Sequence, residues 1–135
     1  MRVFLDANIL FSASLAHSRM RDFLDVLFRH GTCLTSDYAI EEARRNLELK
    51  FPVSLSLLHS LVKKCELVPV LMIEPKVKLK AKDLPILGGA IAGNATHLLT
   101  GDERDFGAFF GKTIQGVKIV SPRMLADELV RAGLL

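Results

Sequence analysis

The sequence predicts an α/β fold in which a central parallel five-stranded sheet carries helices on both faces. Three observations lead there. The chain has 135 residues, the size of one domain and too short for two. Half of it is apolar and 24% is charged, the balance of a chain that buries a core. Short apolar runs alternate with amphipathic stretches, the pattern of βα units, and no linker, repeat or low-complexity tract interrupts them. One domain over residues 1–135 is therefore expected.

Arg2-Val3-Phe4-Leu5-Asp6 reads as the first strand, apolar and ending in a carboxylate. Ala7 to about Ala16 is helix-like. Ser18 suits the N-cap of a second helix reaching Phe28 or Arg29, with Phe23, Leu24, Leu27 and Phe28 as its apolar stripe and Gly31 as its stop. Thr32–Thr35 reads as a strand, and Ser36 or Asp37 caps a helix to about Lys50. A helix over Ser54–Lys64 and a strand over Glu66–Leu71 follow, then a loop over Glu74–Lys82. Asp83 opens a helix to about Asn94, with Pro85 in its first turn, where a missing N–H does no harm. Thr96–Thr100 is a strand, Glu103–Phe110 a short helix, Val117–Val120 the last strand and Pro122–Ala132 the last helix. Crossovers this long make the sheet parallel. In such sheets, sites form at the carboxyl ends of strands where the strand order reverses.

Composition excludes several classes. No apolar run approaches the roughly 20 residues that span a bilayer, so no membrane partner is expected. The opening MRVFLDANIL lacks the uninterrupted apolar region of a signal peptide, which makes the cytoplasm the expected compartment. Cys33 and Cys65 show no ligand spacing and read as reduced, buried thiols. His17, His30, His59 and His97 likewise show no ligand spacing, and no glycine-rich phosphate loop is present. The net charge is +3, and six of the 18 basic residues fall between Lys63 and Lys82. Such an excess either guides a polyanion or forms a solvated face.

The chemistry resides in the acids. Asp6 ends the first strand and Asp102 follows the strand Thr96–Thr100, so both project from one rim of the sheet. Asp105 is one helical turn beyond Asp102, Asp83 starts the preceding helix, and Glu41 and Glu42 lie in the helix after the second strand. Converging carboxylates repel unless a cation lies among them. Oxygen-only donors suit Mg²⁺ or Mn²⁺, which activate water and neutralise charge on phosphorus. The expected reaction is in-line hydrolysis of a phosphodiester. Each acid also has a plainer reading: Asp6 as a strand-end turn residue, Asp83 as an N-cap, and Glu41 or Glu42 as surface acids.

Phe4-Leu5-Asp6-Ala7-Asn8-Ile9-Leu10 resembles the opening motif of PIN domains. Ser36–Leu47 resembles their second motif, Asp83–Ala90 the third, Leu98–Phe106 the fourth, and Ile119–Leu125 the closing strand–Pro–helix. The similarity covers almost the whole chain in the family's order, and the size fits VapC-like, toxin-type members. The resemblance implies a three-layer α/β/α sandwich, a Mg²⁺ or Mn²⁺ site and endoribonuclease activity on RNA. It also implies an antitoxin protein as partner and a homodimer. Carried over, Asp6, Glu42, Asp83 and Asp102 take the catalytic, metal-binding roles and Asp105 an auxiliary metal-binding one. Glu42 is preferred to Glu41 because the motif sets its Glu five residues before Leu47. Asn8 and Thr100 would orient the ligands by hydrogen bonds. Lys76, Lys78, Lys80 and Lys82, leading into Asp83, would meet RNA phosphates. Pro85 and the Gly88-Gly89 pair depart from the Ala-rich helix usual in the family, and close packing is the expected reason for the glycines.

Two rivals stand beside this reading. A phosphatase of the haloacid-dehalogenase type also places an Asp after its first strand, but it needs a second Asp two residues on, where this chain has Asn8. A non-catalytic PIN-like module binding RNA or protein would be expected to have lost some of the acids, and all four are present.

Overall fold

The structure is a computed structural model describing residues 1–69 and 77–135. In chain order the elements are β1 (Arg2–Leu5), α1 (Ala7–Ala13), α2 (Arg19–His30), β2 (Thr32–Thr35), α3 (Asp37–Lys50), α4 (Leu55–Val62), β3 (Glu66–Leu67), α5 (Leu84–Ala92), β4 (His97–Leu99), α6 (Glu103–Phe106), β5 (Thr113–Ile114), β6 (Val117–Val120) and α7 (Pro122–Arg131). Serines set the helix starts where the sequence puts them. The hydroxyls of Ser18, Ser36 and Ser121 accept the N–H groups of Arg21, Ala39 and Met124 at the heads of α2, α3 and α7. The helix expected over Glu103–Phe110 is α-helical only to Phe106 and continues as a 3₁₀ turn over Gly107–Phe109.

The strands form one sheet in the order β3-β2-β1-β4-β6-β5. β3, β2, β1, β4 and β6 run parallel, as expected for βα units. The expectation of five strands needs one correction: β5 is a sixth, antiparallel to β6 at the edge. It is only Thr113-Ile114, joined to β6 through Gln115 and Gly116 at φ 48° and 88°. Two residues leave no alternation to read, and a two-residue turn with both φ values positive supplies the hairpin. The strand expected over Glu66–Leu71 is assigned at Glu66–Leu67. Its last two residues, Lys76 and the start of the Glu74–Lys82 loop lie outside the described residues.

Val3, Phe4 and Leu5 are all fully buried although successive strand residues point to opposite faces. Both faces of the sheet are therefore covered, giving helix, sheet and helix layers. On Phe4's side lies α5. A Cβ on Gly89 would come within 3.1 Å of the Phe4 ring, and one on Gly93 within 2.8 Å of Val68. Those glycines let α5 lie close on β1 and β2, which fixes where Asp83, just before α5, emerges. Cys33 is buried and Cys65 half-buried, both as free thiols.

The strand order reverses at β1. The chain builds β2 and β3 on one side of it, then crosses to β4 on the other. The crevice at the carboxyl ends of β1 and β4 is therefore the switch point of the sheet.

Candidate functional site

Asp6 follows β1 directly and is 5% exposed. It is the N-cap of α1: Oδ1 accepts the Ala7 N–H at 2.7 Å. Oδ2 accepts from the Thr100 hydroxyl at 2.8 Å and from the Asn8 amide at 3.1 Å. Burial raises the Asp6 carboxyl to about 6, against the lowering pull of those hydrogen bonds.

Thr100 and Asn8 tie the two strand ends together. The fully buried Thr100 hydroxyl also accepts the Asp102 N–H at 3.1 Å. The Asn8 carbonyl oxygen accepts the Gly101 N–H at 2.8 Å. Asp102 then caps α6, its Oδ1 accepting the Asp105 N–H at 3.0 Å. The turn after β4 is thus held against the turn after β1 by three side-chain contacts: the Thr100 hydroxyl donates to Asp6, the Asn8 amide donates to the Thr100 hydroxyl, and the Gly101 N–H donates to Asn8.

Asp83 is 6% exposed and sits where an N-cap would, yet its side chain makes no capping bond to α5. Its Oδ2 is buried with no hydrogen-bond partner. Burial, with the Asp105 carboxylate beside it, raises Asp83 to about 7. Carboxylate oxygens of Asp83, Asp102 and Asp105 lie within 4.8 Å of one another. Asp105, whose side chain is 2% exposed, is held by two ammonium groups, Lys80 Nζ at 2.9 Å and Lys82 Nζ at 3.0 Å. They keep its carboxyl well below the usual carboxylate range. The Tyr38 hydroxyl donates to the Lys82 carbonyl at 2.8 Å, fixing this lysine segment to α3.

A cavity of about 300 Å³ opens at the switch point, and Asp6, Asn8, Glu42, Asp83 and Asp102 line it together with Lys82. Asp105 and Thr100 are not among its lining residues but touch those that are. Glu42 reaches it from α3, whereas Glu41 is exposed and paired with Arg44 at 2.6 Å. Lys78 is exposed, and Lys76 is outside the described residues. The sequence reading missed three further wall residues, Phe11, Asn46 and Lys50. The signal for two of them was present: Glu42, Asn46 and Lys50 repeat every four residues on one face of α3.

The donor set fits a hard divalent cation. It is made of carboxylate oxygens, and two of the acids are raised by burial, the response of groups short of positive charge. The unpartnered Asp83 Oδ2 is the clearest opening for a ligand bond, since a buried carboxylate oxygen left bare is costly.

No protein-family model matches the chain, and no curated protein matches it in sequence. Solved structures do. The VapBC2 complex of Rickettsia felis, bound to a DNA fragment from its promoter, aligns at 19% identity and TM-score 0.66, over 90% of this chain and 98% of the other. FitAB bound to an IR36 DNA fragment aligns at 18% and 0.61, over 89% and 94%. FitAcB of Neisseria gonorrhoeae aligns at 18% and 0.60, over 90% and 98%. The chain has the PIN-like fold that the motifs anticipated. Among the described residues no helix is long and apolar enough to cross a membrane.

Proposed function

We propose that this protein is a divalent-metal-dependent endoribonuclease, the toxic member of a toxin–antitoxin pair. The observation that carries the reading is the convergence of Asp6, Glu42, Asp83 and Asp102 on one cavity, with a buried oxygen of Asp83 left bare. These acids come from four separate stretches, the turns after β1 and β4, the body of α3 and the start of α5. In this reading they hold Mg²⁺ or Mn²⁺, with Asp105 as an auxiliary acid. The ion supplies an activated water and positive charge opposite the phosphorus. Thr100 and Asn8 fix Asp6 so that its carboxylate does not reorient when charge develops. A carboxylate of the set that borders the cavity would take the proton of the attacking water. Lys82, on the same cavity, meets a phosphate of the strand, and Lys76, Lys78 and Lys80 extend that basic run.

Both oxygens of Asp6 are engaged by donors, which suits a ligand and not the nucleophile a phosphatase would need. The VapBC and FitAB neighbours are toxin–antitoxin complexes with PIN-domain toxins, which supports an antitoxin protein as partner. A homodimer and the cytoplasm belong to the same reading, on the resemblance alone. A single domain over 1–135 also belongs to it, supported by the joining of the six strands of the described residues in one sheet.

The test is cleavage of a pool of structured and unstructured RNAs with Mg²⁺ or Mn²⁺. Wild type should cut, EDTA should stop it, and Asp6→Asn and Asp102→Asn should both be inactive. Cutting that survives EDTA or both substitutions would overturn the proposal. An uncut pool that still binds would point to the non-catalytic module instead.

A further inference from the structure

The cavity changes character along α3. Glu42, Asn46 and Lys50 are spaced at i, i+4 and i+8 on one face, so the wall passes from carboxylate through amide to ammonium over about 12 Å. At the ammonium end the cavity has an aromatic side. Phe11 of α1 lines it, and Phe51, the residue that ends α3, packs on Phe11 with ring centroids 6.1 Å apart at 59°. Lys50 Nζ stands 5.9 Å from the Phe11 centroid. Phe51 is 46% exposed, an aromatic ring left half in solvent. The acidic end takes a cation, so this arm is free to take what the acids repel.

We infer that the arm is a nucleotide subsite: Phe51, backed by Phe11, stacks one base of single-stranded RNA while Lys50 and Asn46 take the adjoining phosphate and base edge. This rests on the nucleic-acid reading proposed above and adds the contacts that would seat the strand. Aromatic faces accept any base, and an ammonium beside them accepts the backbone. A duplex keeps its bases stacked on one another and cannot offer one to Phe51, so the occupant is single-stranded. The charge gradient along α3 also gives the strand a direction, its phosphate at Lys50 and its next linkage over the acids.

The sequence contains no Trp, so Phe51→Trp installs a single reporter at the stacking position. Titrated with a single-stranded RNA oligonucleotide in EDTA, where no cutting occurs, its emission should be quenched, and neither inorganic phosphate nor duplex RNA should quench it. Phe51→Trp should bind as wild type, and Phe51→Leu about tenfold more weakly with an unchanged melting temperature. Lys50→Gln should reduce the slope of log affinity against log salt by about one. Absent binding, absent quenching, or a Phe51→Leu protein that binds like wild type would each overturn the subsite, the last leaving the arm to a protein partner. The two readings fail separately. RNA cut with the same KM by Phe51→Leu removes the subsite and keeps the nuclease. Quenching without metal-dependent cutting keeps the subsite and removes the nuclease.

Discussion

Asp6 and Asp83 are the same residue type, equally buried, lining one cavity, and the fold treats them differently. Asp6 receives three hydrogen bonds, from Ala7, Asn8 and Thr100. Asp83 caps nothing, keeps one oxygen bare, and faces Asp105, whose charge is already met by Lys80 and Lys82. Burial raises both carboxyls, to about 6 and about 7. The difference separates two tasks. Hydrogen bonds from the fold position Asp6, whereas Asp83 is short of positive charge and gains most from a cation.

The largest effect should fall on activity when the positioned acid is neutralised. Asp6→Asn should lower metal-dependent cleavage more than about a hundredfold, beyond what loss of a supporting partner costs. Asn keeps the cap on Ala7 but puts an amide where Oδ2 accepts from Thr100 and Asn8, so the melting temperature should fall by about 5 °C with the fold retained. A collapse of the fold in that variant would show Asp6 to be structural.

Next is the response to metal. At a hundredfold excess over its dissociation constant, an ion bound only by the folded state adds about 2.7 kcal/mol. For a chain of this size that corresponds to a melting temperature about 10 °C higher. Wild type should show this rise with Mn²⁺ and Asp83→Asn should not, although without metal Asp83→Asn should be at least as stable as wild type. Calorimetric scans in EDTA and in Mn²⁺ decide it.

A smaller effect is the pH dependence without metal. The folded values of Asp6 and Asp83 lie above the ordinary 3.8, so between about pH 4 and pH 7 the folded protein holds protons that the unfolded chain has released. Stability from these groups is greatest below that window and declines as pH rises through 6 and 7. Asp105 runs the other way: its lowered value gives stability that is present above 3.8 and lost only in stronger acid. Melting curves in EDTA should therefore show wild type falling behind Asp83→Asn between pH 5 and pH 8. Mn²⁺ affinity should climb over the same range, because binding displaces a proton. A difference independent of pH would mean that Asp83 is not protonated near neutrality.

The smallest contrast is between neighbours on α3. Glu42→Gln should impair cleavage, while Glu41→Gln, which loses only an exposed pair with Arg44, should stay within about twofold of wild type. Equal losses would mean that α3 is turned relative to the cavity.

Local chemistry explains what could be read in the sequence. Val3-Phe4-Leu5 followed by Asp6 announces a buried strand ending at the site, and Ser18 and Ser36 mark helix starts by a hydrogen bond three residues on. The parallel sheet also followed from the lengths of the connections, whereas the strand order that puts the switch point between β1 and β4 came only with the structure. β5 did not follow, since Thr113-Ile114 is too short for a pattern. Nor did the clamp of Lys80 and Lys82 on Asp105, more than twenty residues away, which only tertiary folding creates. Spacing alone left Glu41 and Glu42 open. In the structure Arg44 engages Glu41 and Glu48 together, and Glu42 is the one that lines the cavity. Phe11 and Phe51 meet only because α1 packs against α3.

The most direct measurement is Mn²⁺ binding to the metal-free protein, followed by calorimetry or by the electron-spin signal of the free ion. Wild type should bind Mn²⁺, with affinity lost in Asp83→Asn and in Asp102→Asn and kept in Glu41→Gln. If wild type binds no Mn²⁺, or if both aspartate variants bind it as tightly as wild type, the carboxylate cavity is not a metal centre.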